Sequence, residues 1–136
     1  MKGIAGIHPG WGLTVVRISM GLIFAFHGYQ KFAGGIAGVS AFFAKLSIPL
    51  PGLMAPFVAL LELLGGILLI LGLATRWIGL LLALEMIVTA FWVQVPTREW
   101  NASDLDRILL ASGILLFLAG PGRLAVDEFW LEKEGK

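Results

Sequence analysis

An all-α integral membrane bundle is what this sequence predicts, and three observations predict it. The chain of 136 residues is 58% apolar and only 14% charged, against roughly 45–50% and about 25% in soluble domains. Its apolar residues gather into four long runs separated by short connectors. The polar residues inside those runs share helical faces, as they do when a face points into a bundle. A soluble core cannot bury four such helices beneath so little polar surface. In lipid the apolar surface needs no burial, and a helix satisfies its backbone groups internally. The expectation is therefore one domain, residues 1–136, folded as a four-helix antiparallel bundle with a short interfacial helix between spans 1 and 2.

The spans follow in order. The first covers about 13–32 and opens beside Trp11, an interface residue. Lys2 ahead of an apolar run suggests a signal peptide, but Arg17 lies within the run and no small-x-small cleavage site closes it. It is read as a retained helix. Gly34-Gly35 to Gly38 then makes a turn, and 40–46, with Phe42, Phe43 and Leu46, suits a helix lying in the interface. The second span covers about 53–74, its start marked by Pro49, Pro51 and Pro56. The turn at Thr75-Arg76 is so tight that spans two and three must be antiparallel neighbours. The third span, about 77–95, ends at Pro96. Each of the three has about 19–22 residues, enough for a hydrocarbon core of about 30 Å. The fourth, about 105–119, is shorter, so Asp106 and Arg107 must snorkel or face the bundle. Gly120-Pro121-Gly122 stops it. The connector 94–104 is polar, with Trp100 as its expected anchor.

Charge and composition exclude several functions. A net charge of +1 gives no field for nucleic acid. The absence of cysteine removes disulfide exchange, thiolate nucleophiles and iron–sulfur ligation. Lys2, Arg76, Arg123, Lys133 and Lys136 fall on the side of both termini, and Lys31, Lys45, Arg98 and Arg107 on the other. This bias of one residue places the termini in the cytoplasm.

Four polar residues sit within the apolar runs: Arg17, His27, Glu62 and Glu85. Each charge in hydrocarbon costs about 2.5–3.5 kcal/mol on insertion scales, so each needs a reason. On the first helix Arg17, Met20, Gly21, Phe24, His27, Gly28 and Lys31 share an arc of roughly 120°. On the second, Glu62, Gly65, Gly66 and Leu69 share a face, where glycine lets a neighbouring backbone approach. Glu85, Thr89 and Trp92 form a stripe on the third. At about 1.5 Å per residue, measured from the side of the termini, Arg17 lies about 6 Å deep and Glu85 about 12 Å. Glu62 and His27 lie roughly 18 Å and 21 Å deep. The two carboxylates should therefore meet near the midplane, where one of them is expected to be protonated unless Arg17 compensates both. One reading is a structural ion pair that fixes helix register. The other is a polar pocket for a quinone headgroup, a proton or a small polar substrate.

Haem does not fit, because His8 lies outside the first span and toward the opposite face from His27. Methionines at helical spacing, such as Met20 and Met86, are more often core filler than axial ligands. A metal site is not expected, since no E-x-x-H pair occurs.

Further motifs now stand in view. Arg17 to Phe32 reads R-x-x-x-G-L-I-F-x-x-H-G-x-x-K-F. It is followed by Ile48-Pro49-Leu50-Pro51, Glu62-Leu63-Leu64-Gly65-Gly66 and Gly72-Leu73-Ala74-Thr75-Arg76, and then by Gly120-Pro121-Gly122-Arg123-Leu124 with Asp127. In this order they resemble the DoxX family. The resemblance implies a bacterial inner-membrane protein of four helices. Some members are linked to thiosulfate:quinone oxidoreductase, through the related DoxD subunit, and others to membrane-associated redox or oxidative-stress complexes. It tilts function toward quinone-linked redox work, as an accessory or anchor subunit of a membrane complex and not as an enzyme on its own. The alternative is a small oligomeric transporter or pore with the carboxylates as a proton relay. No inverted repeat is visible, which counts against it. The expected partners are the bilayer and either a redox protein or further copies of the chain.

Overall fold

The structure is a computed structural model and describes residues 4–94 and 104–134. The expected anchor Trp100, with Lys2, Pro96, Arg98 and Lys136, lies outside the described residues. Within them the chain is helical, with no strand. Six α-helices follow one another: α1 Gly10–Ala33, α2 Ile36–Lys45, α3 Pro51–Leu71, α4 Thr75–Val88, α5 Asp104–Ala119 and α6 Val126–Glu134. A π-helical turn, Thr89–Gln94, extends α4.

Local chemistry sets the ends of these helices. Gly72 (φ 72°) closes α3 in the left-handed conformation, which costs glycine nothing. Three residues later α4 begins, so α3 and α4 run antiparallel as expected. Gly120 (φ 91°) and Pro121 end α5. Pro51 occupies the first turn of α3, where its missing N–H is no loss. Helix α2 begins at Ile36, earlier than expected, because Gly35 (φ 95°) alone makes the corner. Gly38 is drawn into the helix.

The bundle is assembled from two close pairs. In the pair α1/α3, an alanine Cβ at Gly28 would fall 2.3 Å from Leu63 N, and one at Gly66 would fall 2.3 Å from Ala25 N. In the pair α4/α5, a Cβ at Gly113 would fall 2.7 Å from the Gly79 carbonyl oxygen. Small residues thus let each pair approach backbone to backbone, the way helices associate where lipid supplies no hydrophobic drive. Between the pairs the space is wider. Met20, Phe24, Leu69, Leu82, Met86, Leu109 and Leu116 fill its middle. Outward, Leu22, Phe26, Leu64, Leu84 and Leu118 are exposed, the surface that acyl chains solvate. Three helical stretches, Gly10–Ala33, Pro51–Leu71 and Thr75–Val93, are long and apolar enough to cross a membrane. Helix α5 has 16 residues, about 24 Å of rise.

Candidate functional site

Buried polar groups collect at two opposite ends of the bundle, and they differ in kind. At the end where α1 begins, Arg17 is fully buried. Its Nη2 donates to the carbonyls of Leu124 at 3.0 Å and Arg123 at 3.3 Å. Thr14 Oγ1 accepts the Arg123 amide at 2.8 Å and donates to the Arg123 carbonyl at 2.8 Å. Asp127 caps α4, accepting from Ala74 N at 2.7 Å and Thr75 N at 2.8 Å. Its own amide donates to the Gly72 carbonyl at 2.9 Å. Arg76 Nη1 donates to the carbonyls of Phe117 and Leu118. The Gly72–Arg76 and Gly120–Asp127 motifs are thereby the two halves of one lock. An open cleft of about 370 Å³ between Trp77 and Trp130 lies beside it. Among the described residues the one carboxylate of that cleft, Asp127, is spent on the helix cap.

The other end holds the chemistry. Between the two pairs, under α2, lies a cavity of about 200 Å³. His27 and Lys31 reach it from α1, Glu62 from α3, Glu85 and Thr89 from α4 and its π turn, and Asp106 from the first turn of α5. Phe42 and Phe43 of α2 form its roof. Lys31 Nζ donates to Glu62 Oε2 in an ion pair. Glu85 Oε2 is buried with no hydrogen-bond partner among the described residues. Apolar walls, an ion pair and an unpartnered carboxyl oxygen converging on one space are what a site for a polar-headed ligand requires.

Of the four expected site residues, His27, Glu62 and Glu85 come together here, and Arg17 does not. It lies ten residues before His27, about 15 Å back along α1. Helical side chains also lean toward the N-terminus, so its guanidinium meets the carbonyls of the lock. The cation beside Glu62 is Lys31, which shares the arc of His27 on α1 but, near the helix end, reads in the sequence as a loop charge. Asp106 was the other signal, a carboxylate opening an apolar run. Trp92, expected on the stripe with Glu85, instead donates from Nε1 to the Leu46 carbonyl at 2.9 Å. The wider π turn shifts the register, so that Val93 reaches the cavity. Among the described residues no three His, Asp or Glu side chains are grouped to hold a metal ion.

Fold and cavity together define a small multi-pass helical membrane protein with a polar chamber near one face. The chain belongs to the DoxX family, whose model matches residues 12–95. It is 40% identical to "Putative oxidoreductase CatD" of Bacillus subtilis, over 87% of this chain and 86% of that protein. It is 33% identical to inner membrane protein YqjF of Escherichia coli, over 90% of this chain and 94% of that one. Inner membrane protein YphA of the same organism is 29% identical over 85% of this chain and 87% of its own length. No solved structure matches the chain.

Proposed function

We propose that the protein is an accessory subunit of a redox complex in the bacterial inner membrane, and that its cavity receives the headgroup of a quinone. In this reading α5 is a fourth span, 105–119, and both termini face the cytoplasm. The observation that carries it is the Lys31–Glu62 pair set beside the unpartnered Glu85 oxygen in one apolar-walled space. A quinone presents two carbonyl oxygens on a flat ring. Lys31 and His27 offer donors to the oxygens, and Phe24, Phe42 and Phe43 offer apolar walls to the ring. At about 200 Å³ the space is smaller than the roughly 300–1,000 Å³ of whole-ligand sites. It suits a headgroup whose tail stays in lipid. Reduction to the quinol takes two electrons and two protons. The electrons come from a reduced partner protein, and the cavity's ionisable groups handle the protons. That CatD is called an oxidoreductase agrees with this reading.

The test is binding of decylubiquinone to the purified protein in mild detergent, followed by quenching of tryptophan fluorescence. Saturable binding that weakens in Lys31→Met and in Glu85→Leu, both remaining folded by circular dichroism, is the expected result. Absence of saturable binding, or binding indifferent to both changes, overturns the quinone reading. Movement of protons or solute by the protein alone in liposomes favours the transporter instead.

A further inference from the structure

We infer that the cavity is a half-channel, through which water and protons reach Glu62 and Glu85 from the face that carries α2, while an apolar plug closes it toward the termini. The inference rests on the cavity being the working site, as proposed above, and adds the direction from which it is served.

Two observations carry it. The first is how ionisable side chains are distributed. None occurs in residues 18–26, 63–71, 77–84 or 108–119. These stretches belong to α1, α3, α4 and α5 at the same level of the bundle, giving a layer about 13 Å thick. Its interior is Met20, Leu69, Leu82 and Leu116, each 0–2% exposed, with Phe24 at the boundary where it meets the cavity. A layer that dry holds no ionisable group to take up a proton, and its two hydroxyls are Ser19, exposed outward, and Ser112, bonded to the Ile108 carbonyl. The lock beyond it is fastened by a guanidinium, which does not release its proton, and by backbone carbonyls.

The second observation is the gradient of polarity on the other side. Among the described residues every ionisable group lining the cavity lies at or beyond the level of Glu85: His27 and Lys31 on α1, Glu62 on α3 and Asp106 on α5. Helix α2 contributes only phenylalanines. Lys31 and Asp106 stand in the end turns of their helices and are half-buried, as are Thr89 and Val93. The cavity thus opens toward that face past Lys31 and Asp106, while Glu62 between them and the plug stays buried. Helix α2 sits across it with no buried residue of its own. A proton taken up by a ligand in the cavity is therefore drawn from the α2 side, and one released returns there. A conducting path across the whole bundle is not built.

The chain contains no cysteine, so single introduced thiols report water access directly. Thr89→Cys marks the mouth, Met86→Cys the depth of the cavity and Leu82→Cys the plug, all in the full chain in oriented membrane vesicles. Lys45→Cys and Phe129→Cys, exposed at opposite ends, establish which face is outward. A charged, membrane-impermeant methanethiosulfonate is then added from each side. The expected result is reaction at Thr89→Cys and Met86→Cys from the Lys45 side, loss of that reaction from the Phe129 side, and none at Leu82→Cys from either. Labelling of Met86→Cys from the Phe129 side, labelling of Leu82→Cys, or a cavity inert from both sides overturns the inference. Should a variant fail to fold, wild-type vesicles give a second reading. The infrared carboxyl band should respond to a pH jump applied on the α2 side, and a response to the other side refutes the plug. Failure of decylubiquinone to bind while one-sided labelling persists sinks the quinone alone. Two-sided labelling with intact quinone binding sinks the half-channel alone.

Discussion

Replacing Lys31 by methionine removes the cation beside Glu62 and leaves a side chain of similar length. The Glu62 side chain is 6% exposed, so its charge would be left without a cation and nearly without water, with the Glu85 carboxyl beside it. Truncating one member of a buried pair costs about 3–5 kcal/mol. Lys31 keeps 23% of its side chain exposed, and screening through that opening lowers the expected loss to about 2–3 kcal/mol. Glu62→Gln in the same chain removes the stranded charge, so the double variant should recover about 1–2 kcal/mol relative to the sum of the singles, a usual coupling for touching residues. Arg17 supplies the control. Its partners are carbonyls at the opposite end, so Arg17→Leu and Glu62→Gln should add to within about 0.5 kcal/mol. The assay is unfolding in mild detergent, reversible and followed by circular dichroism, for each single and double. Additive losses for Lys31 and Glu62, or coupling between Arg17 and Glu62, would refute the division of the polar groups into two separate ends.

Four further outcomes can be checked by the same unfolding measurement. Gly72→Ala should cost about 3 kcal/mol or more, because φ there is +72° and the new Cβ would fall 1.6 Å from Arg17 Nη1, combining backbone strain with overpacking. Asp127→Ala removes both caps from the start of α4 and should cost about 1–2 kcal/mol. Gly28→Ala drives a methyl into the Leu63 backbone for about 1–3 kcal/mol. Gly38→Ala, which meets nothing within 4 Å, should instead stabilise α2 by roughly 0.5–1 kcal/mol.

What the sequence made legible was whatever depends on periodicity. The arc of Arg17, Met20, Gly21, Phe24 and Gly28 is buried as a unit, and so are Glu62, Gly65, Gly66 and Leu69 on α3. Helix ends were readable wherever glycine or proline forced them, as at Gly72 and Gly120. What escaped was the partner of each polar group. Depth along a helix fixes the Cα, yet Lys and Arg reach several ångströms either way, so Arg17 turned back to the lock and Lys31 reached in. The π turn at Thr89–Gln94 carries no compositional mark, and within it Trp92 bonds the Leu46 carbonyl and stays out of the cavity. The Gly120–Asp127 motif was visible as a pattern. Its task, accepting from Arg17 Nη2 and capping α4, depends on residues more than fifty positions away.

The two polar ends follow from what each kind of side chain can do. A guanidinium stays charged in protein interiors and offers donors in a fixed fork, so against carbonyls it makes a permanent fastening. Arg17, Arg76 and the Asp127 caps all bond to backbone, and backbone cannot change its charge. The far end is built from His27, Lys31, Glu62, Glu85 and Asp106, side chains that all exchange protons as part of ordinary chemistry. Here side chain meets side chain, so moving a proton or admitting a ligand can break Lys31 from Glu62 without undoing a helix. The bundle is thus rigid at the end that holds its topology and adjustable at the end that holds its cavity. The apolar layer between them allows the second to change without loosening the first.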